Sequence, residues 1–164
     1  QKLRPLQNTC DYVCAIEHAQ HLKEKKEVKG WKERKKVGKQ SLKTKQDYEK
    51  ELQAVFNTFI RTRDKDKPCI SCARPLVGKF DAGHYFPVGS YKNLRYNENN
   101  CFGQCVHCNQ HKHGNLNEYT IYLPSRIGQQ AFDKLVKDRL ILRKYSIPEL
   151  IELKVIYKDK TIRL

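Results

Sequence analysis

The sequence predicts an α+β fold: a small stapled hairpin-and-helix module, surrounded by helices and preceded by a basic arm. Three observations carry this expectation. Two Cys-x-x-Cys pairs, Cys69/Cys72 and Cys105/Cys108, frame a stretch with short-strand patterning, and thiolates at that spacing can close a tetrahedral zinc site. Apolar residues recur at helical spacing on both sides of the stretch. Upstream, a lysine-rich run carries little that a core could use. A four-thiolate zinc site has no open position for water, so the ion is read as a staple and any chemistry must lie between the pairs.

A chain of 164 residues allows one modest domain plus an extension. Thirty-three Lys and Arg against eighteen Asp and Glu give a net charge of +15, more than solubility needs, which points to a polyanionic partner. No apolar run is long enough to span a membrane and no hydrophobic signal segment is present, so a soluble, cytoplasmic protein without a membrane partner is expected. Seven cysteines fit metal ligation in a reducing compartment better than a disulfide framework. The lack of any Met, with Gln1 at the start, suggests a fragment or processed chain.

Residues 1–45 form the arm. Cys10 and Cys14 look like half of a metal site, with two readings open: two free thiols, or a second zinc knuckle lacking its first pair. Residues 21–46 hold eleven Lys/Arg and three Glu, with Gly30 and Gly38 each costing a helix about 1 kcal/mol relative to Ala. A loose solvated helix or a tether is expected, its cations, Lys35 and Lys36 among them, lying along a phosphate backbone. Trp31 is a weaker candidate for base stacking.

Residues 46–164 form the main domain. Thr44 with Asp47 resembles a capping box, and Tyr48, Leu52, Val55, Phe56 and Phe59 then mark an amphipathic helix through residue 63. Arg61, Arg63, Lys65 and Lys67 follow, touching phosphate or facing water. Between Cys72 and Cys105 lie 32 residues, enough for a small insert. Residues 79–86 read as a short strand carrying His84, Gly89 and Ser90 as a turn, residues 93–96 as a second strand or loop, and Asn109 onward as a helix. Further on, Tyr119 to Leu123 is an apolar run expected to stop at Pro124, with Ser125 capping a helix to about Val136. Ser146 and Glu149 resemble a capping box for a last helix whose stripe is Leu150, Leu153, Ile156 and Tyr157.

Asp81-Ala-Gly-His84, Asn100 five residues before Cys105, and Cys105-x-x-Cys108-Asn109 together resemble the HNH, or ββα-metal, endonuclease motif in its zinc-bound form. A closer resemblance is to the NinG, or Rap, family of lambdoid phage recombination proteins. It runs through R-D-K-D-K-P-C-I-S-C, D-A-G-H-Y, L-R-Y-N-E-N-N, C-V-H-C-N-Q-H-K-H-G-N and S-R-I-G and covers most of the chain. The Cys10/Cys14 pair is similar to the second half of that family's N-terminal zinc site.

The resemblance implies a phage or prophage endonuclease that hydrolyses DNA phosphodiesters in branched intermediates such as Holliday junctions and D-loops. His84, whose unperturbed pKa of about 6.5 suits proton abstraction from water, is the implied general base. A single Mg²⁺ or Mn²⁺ meets the developing charge, Asn109 matches the family's last metal position, and Asn100 matches the middle Asn that holds the hairpin loop. Gly83 departs from the pattern, for many relatives place an acid or histidine there. Asp81 would take over if Gly83 kinks the strand; otherwise His111 or His113 would join Asn109. Arg95 and Lys112 lie where a scissile phosphate could be clamped. His107 is expected to be exposed, and Cys101 to be a buried or reactive thiol. Symmetric cleavage of a junction would call for a homodimer, although no heptad seam announces one. Two rivals stand beside this reading: a site-specific or homing-type HNH enzyme, and a zinc-dependent DNA-binding module without catalysis. RNA as substrate is disfavoured by the lack of an RNA-recognition motif.

Overall fold

The computed structural model describes residues 11–164; Cys10, half of the N-terminal pair, lies outside them. The chain divides into two units, residues 1–44 and 45–164. Within the first, helix α1 spans Tyr12–Ser41, with Asp11 as its N-cap accepting from the Cys14 amide. Between the helix and tether readings of the arm, the structure chooses a continuous helix through both Gly30 and Gly38. Its sizeable apolar residues, Leu22, Val28, Trp31 and Val37, are exposed.

In the second unit α2 (Lys45–Asp64) is followed by an antiparallel two-stranded ribbon, β1 (Phe80–His84) and β2 (Cys101–Cys105). The register pairs Phe80 with Cys105, Asp81 with Gln104, Gly83 with Phe102 and His84 with Cys101. Three helices complete the unit: α3 (Leu116–Ile127), α4 (Gln129–Asp138) and α5 (Ile147–Ile162). The α+β class is therefore observed.

Side chains alternate across a strand, so the ribbon divides the core in two. On one face Ala82 and Cys101 join Leu52, Phe56, Phe59 and Ile60 of α2 with Leu150 and Tyr157 of α5. On the other, Phe102 joins Ile70, Phe86, Leu94, Tyr119, Leu123 and Leu135. The stripe read from the sequence of α2 is the one that is buried. Burial of five residues along it, Asp64 included, is what fixes that helix against the ribbon.

Three local expectations are corrected. The partner of β1 is Cys101–Cys105, while residues 93–96 lie in a loop with tight 3₁₀ turns at Lys92–Leu94 and Glu98–Asn100. The helix expected from Asn109 is a single π-helical turn, His107–His111. It stops because His113, Gly114 and Asn115 all take positive φ, and the next helix starts only at Leu116. Pro124 does not end the apolar run either: α3 passes through it and breaks at Gly128, φ 86°. Burying Tyr119 and Leu123 completely gives roughly 1.5–3 kcal/mol per side chain, enough to offset a proline's cost of about 3 kcal/mol. Ser125 is thus inside a helix, and α4 begins at Gln129. The Ser146–Glu149 capping box is present in full.

Candidate metal centre and active site

The cysteine centre is built from two turns. After α2, Pro68 bridges to Pro75, closing a knuckle in which the Cys69 amide donates to the Arg74 carbonyl and the Ala73 amide to the Cys69 carbonyl. The second pair spans the end of β2 and the π-helical turn, where the Cys108 amide donates to Cys105 Sγ. The Cys105 amide reaches across to Cys69 Sγ, and Asn115 Nδ2 donates to Cys108 Sγ. The four Sγ atoms lie within 4.8 Å of one another, with Cys72 and Cys105 at 3.8 Å. Thiolates about 2.3 Å from a tetrahedral zinc ion stand about 3.8 Å apart, so the donor set fits such a metal. Burial opposes the Cys69 thiolate, but backbone N–H groups of Cys105, Cys72 and Ser71 outweigh it and hold its pKa below the usual thiol value. Among the described residues no other group of three His, Cys, Asp or Glu converges.

On the α2 face, His84 ends β1. Its Nε2 is 2.9 Å from the Arg95 carbonyl oxygen. A carbonyl only accepts, so Nε2 carries the hydrogen and Nδ1 keeps a lone pair. Burial of the ring is the main reason its pKa is lowered; the Arg95 carbonyl works the other way, and the Arg95 charge adds to the lowering. Nδ1 faces Cys101 Sγ at 3.7 Å, and the ring lies 6.1 Å from that of Phe56. Cys101 is fully buried, and that burial raises its thiol pKa well above the usual value. It is a protonated thiol beside the imidazole, where the sequence left its surroundings open. The strand register, once known, is the signal that pairs the two.

Arg95 has a task that its sequence position did not suggest. Its guanidinium donates to Gln53 and pairs with Glu49 of α2 at 3.0 Å, which fixes the peptide whose carbonyl holds His84. Asn100 is buried and ties the loop shut: Oδ1 accepts from the Phe86 amide, and Nδ2 donates to the carbonyls of Phe86 and Leu94. The loop between Phe86 and Leu94 is thereby held one residue from Arg95.

On the opposite face stand Asp81 and Asn109. Asp81 Oδ2 accepts from Asn109 Nδ2 at 2.9 Å and from Gln110 Nε2 at 2.7 Å. No kink at Gly83 is needed, since β1 keeps regular register through it and the π-helical turn comes to the face of Asp81. Gly83 is required for another reason: a Cβ there would run into the Gln104 carboxamide oxygen. Gln104 is itself buried and donates to Ser71 Oγ and to the Gly114 carbonyl. An acid at position 83 would have to displace Gln104 from those hydrogen bonds. The structure brings Asp81 and Asn109 together and leaves His84 on the other face of the ribbon, at its end. His107, His111, Lys112 and His113 are exposed, as are Lys35 and Lys36 on α1, where Lys35 covers the Trp31 ring at 4.7 Å.

Sequence reasoning missed the Arg63–Asp64 clamp. Arg63 donates to both Asp64 carboxylate oxygens and to the carbonyls of Glu98 and Cys101. Asp64 also accepts from the Gly103 amide and Lys67. Burial of Asp64 favours its neutral form, but the Arg63 hydrogen bonds and charge prevail and lower its pKa. Arg63, read as a phosphate contact or a solvent-facing cation, anchors β2 to α2.

The fold and these two faces define a small α+β protein with a cluster of four cysteines that could hold a metal ion. A family model described as "Bacteriophage Lambda NinG protein" matches residues 1–164, and the chain belongs to that family. It is 42% identical over 125 residues to "Protein ninG" of Escherichia phage lambda and 40% identical over 125 residues to that of Salmonella phage P22, in each case 76% of this chain and 61% of the relative. Against "Protein ninG" of Enterobacteria phage H19B it is 45% identical over 100 residues, 61% of this chain and 50% of the relative. The chain thus spans about three fifths of the length of the first two. No solved structure matches it. No helix among the described residues is long and apolar enough to cross a membrane.

Proposed function

We propose that this protein is a zinc-stapled, metal-dependent endonuclease of the HNH type that hydrolyses DNA phosphodiesters, with branched recombination intermediates as substrates. The observation that carries the proposal is the state of His84. A neutral imidazole, its Nε2–H spent on the Arg95 carbonyl, keeps a lone pair on Nδ1, which takes the proton once the Cys101 thiol facing it turns aside. In the reaction, a water loses its proton to Nδ1 as its oxygen bonds to phosphorus, and the P–O3′ bond breaks in line with it. The 3′ oxygen leaves and takes a proton from solvent. Asp81 and Asn109 are the residues that would hold a divalent ion, since an amide can turn its oxygen toward a cation that a carboxylate binds. Mg²⁺ or Mn²⁺ would supply charge neutralisation at the phosphoryl and leaving oxygens. Zinc at Cys69, Cys72, Cys105 and Cys108 has no catalytic part; it joins the two ends of the segment that carries both faces. The excess of Lys and Arg supports a nucleic-acid partner. The choice of branched DNA rests on the family alone.

A non-catalytic zinc-dependent DNA-binding module is the second reading. Two observations favour it: Gln104 packs where the family's acid would stand, and the Cys101 thiol lies beside Nδ1. One experiment separates the readings. Wild type and His84→Ala are given a four-way junction and a linear duplex of the same sequence with Mg²⁺ or Mn²⁺. The proposal expects nicking of the junction by wild type and binding without cutting by His84→Ala. Binding without cutting by both supports the module. Equal cutting of junction and duplex would favour a site-specific or homing-type enzyme.

A further inference from the structure

The loop between α4 and α5 carries three adjacent aliphatic residues, Leu140, Ile141 and Leu142. Ile141, still 55% exposed, lines the edge of a cavity of about 480 Å³ with Tyr96, Tyr145 and Leu153. Its two neighbours face out: Leu140 is 77% exposed and Leu142 fully so. Large aliphatic side chains held together at the tip of a loop signal a partner. Within the same stretch stand Lys137, Arg139 and Lys144, while Arg143 is paired with Glu149 at 2.9 Å and the one acid, Asp138, with Lys134 at 3.3 Å. The partner is therefore anionic as well as apolar in part.

The loop is not loosely hung. Asn93 Nδ2 donates to the Asp138 carbonyl at 2.6 Å, and Tyr145 donates to the Asn93 carbonyl at 2.9 Å, so one residue clamps both ends. The Tyr145 ring also packs on Tyr96 with centroids 5.3 Å apart. Asn93 stands two residues before Arg95, whose carbonyl holds His84. The apolar tip and the imidazole are thus carried by one short piece of backbone.

We propose that Leu140 and Leu142 form a wedge that enters an open or unstacked base step in nucleic acid, with the neighbouring cations on the flanking phosphates. Apolar side chains inserted between bases hold them unstacked, and the cost of doing so is smaller at a step already distorted than in a continuous duplex. The loop therefore discriminates a branch point from a linear duplex and sets it at a fixed offset from His84. This rests on the nucleic-acid reading above and deepens it, but it does not require cleavage.

The test uses a four-way junction with 2-aminopurine at the branch and a linear duplex with 2-aminopurine at its centre, both with wild type and no added Mg²⁺ or Mn²⁺. Fluorescence is expected to rise on binding the junction and to stay near its free value on the duplex. In Leu140→Ser/Leu142→Ser the rise is lost and junction affinity falls roughly tenfold, while duplex affinity is unchanged. Leu142→Phe keeps the junction affinity, because an aromatic ring fills the same step, but stacks on 2-aminopurine and damps the rise. Both substituted side chains are exposed, and an unchanged thermal midpoint checks the fold. An undiminished rise in the double variant overturns the wedge, as does an equal loss on junction and duplex. Loop-dependent binding to vesicles containing phosphatidylserine, or a changed oligomeric state in the double variant, assigns the tip to a lipid or to a second copy and also overturns it. A wild type that gives the rise but never cuts with Mg²⁺ leaves the wedge standing and removes the nuclease.

Discussion

Replacing Asn100 with Ala is the sharpest test of how the site is held. Its side chain is inaccessible to solvent and satisfies three backbone groups, the Phe86 amide and the carbonyls of Phe86 and Leu94. Alanine leaves all three buried without partners. At about 1–3 kcal/mol for each orphaned group, with partial relaxation, the expected loss is about 3–5 kcal/mol. A domain of this size has only about 5–15 kcal/mol in total. With a urea slope of about 1–3 kcal/mol per molar, the unfolding midpoint should fall by roughly 1–5 M. Asn100→Asp gives a control with opposite pH dependence. A carboxylate can still accept from the Phe86 amide, but its second oxygen would face two carbonyls, and burial without a cation raises its pKa. Protonation supplies the missing donor, so this variant should gain stability as pH falls toward 5 while Asn100→Ala does not. A midpoint for Asn100→Ala within experimental error of wild type would refute the claim that this amide holds the loop.

Three further outcomes follow from the same geometry. Cys72→Ser should lose the bound metal and the folded state of residues 69–115 together, read by metal analysis and amide exchange; a fully folded metal-free variant would show that the thiols are not a staple. Asp64→Asn should cost about 3–5 kcal/mol, since it strands a buried guanidinium. In wild type the lowered Asp64 pKa means that its contribution is present above the unfolded carboxylate value of about 3.9 and is lost as pH falls through the lower folded value. Acid unfolding of wild type in that window, absent in the variant, checks the sign. For cleavage, the lowered His84 pKa places the acid limb of the rate below about pH 6.5 with a plateau above; a limb centred above pH 7 would exclude this imidazole.

Much of the architecture was legible in the residues. The α2 stripe, the two Cys pairs and the Ser146 capping box each rest on local spacing, which a chain displays openly. The site was legible only as a set of names. That Asp81 and Asn109 meet depends on a π-helical turn ended by three residues of positive φ, a run that Gly114 and Asn115 permit but do not dictate. Pro124 misled because its local cost was outweighed by Tyr119 and Leu123, whose burial is decided by distant residues. The pairing of Cys101 with His84, and the ties from Arg95 to Glu49 and from Arg63 to the Cys101 carbonyl, are products of register and long-range packing, and no short window contains them.

The central claim, that an imidazole at residue 84 takes the proton from the attacking water, is tested most directly by chemical rescue. Single-turnover cleavage of a four-way junction with Mn²⁺ is measured for His84→Ala with and without added imidazole. The account expects a variant that binds like wild type, cuts at a small fraction of its rate, and recovers activity in proportion to neutral imidazole, its acid limb moved to the pKa of the added base. Cutting by His84→Ala at the wild-type rate, with no response to imidazole, would contradict it.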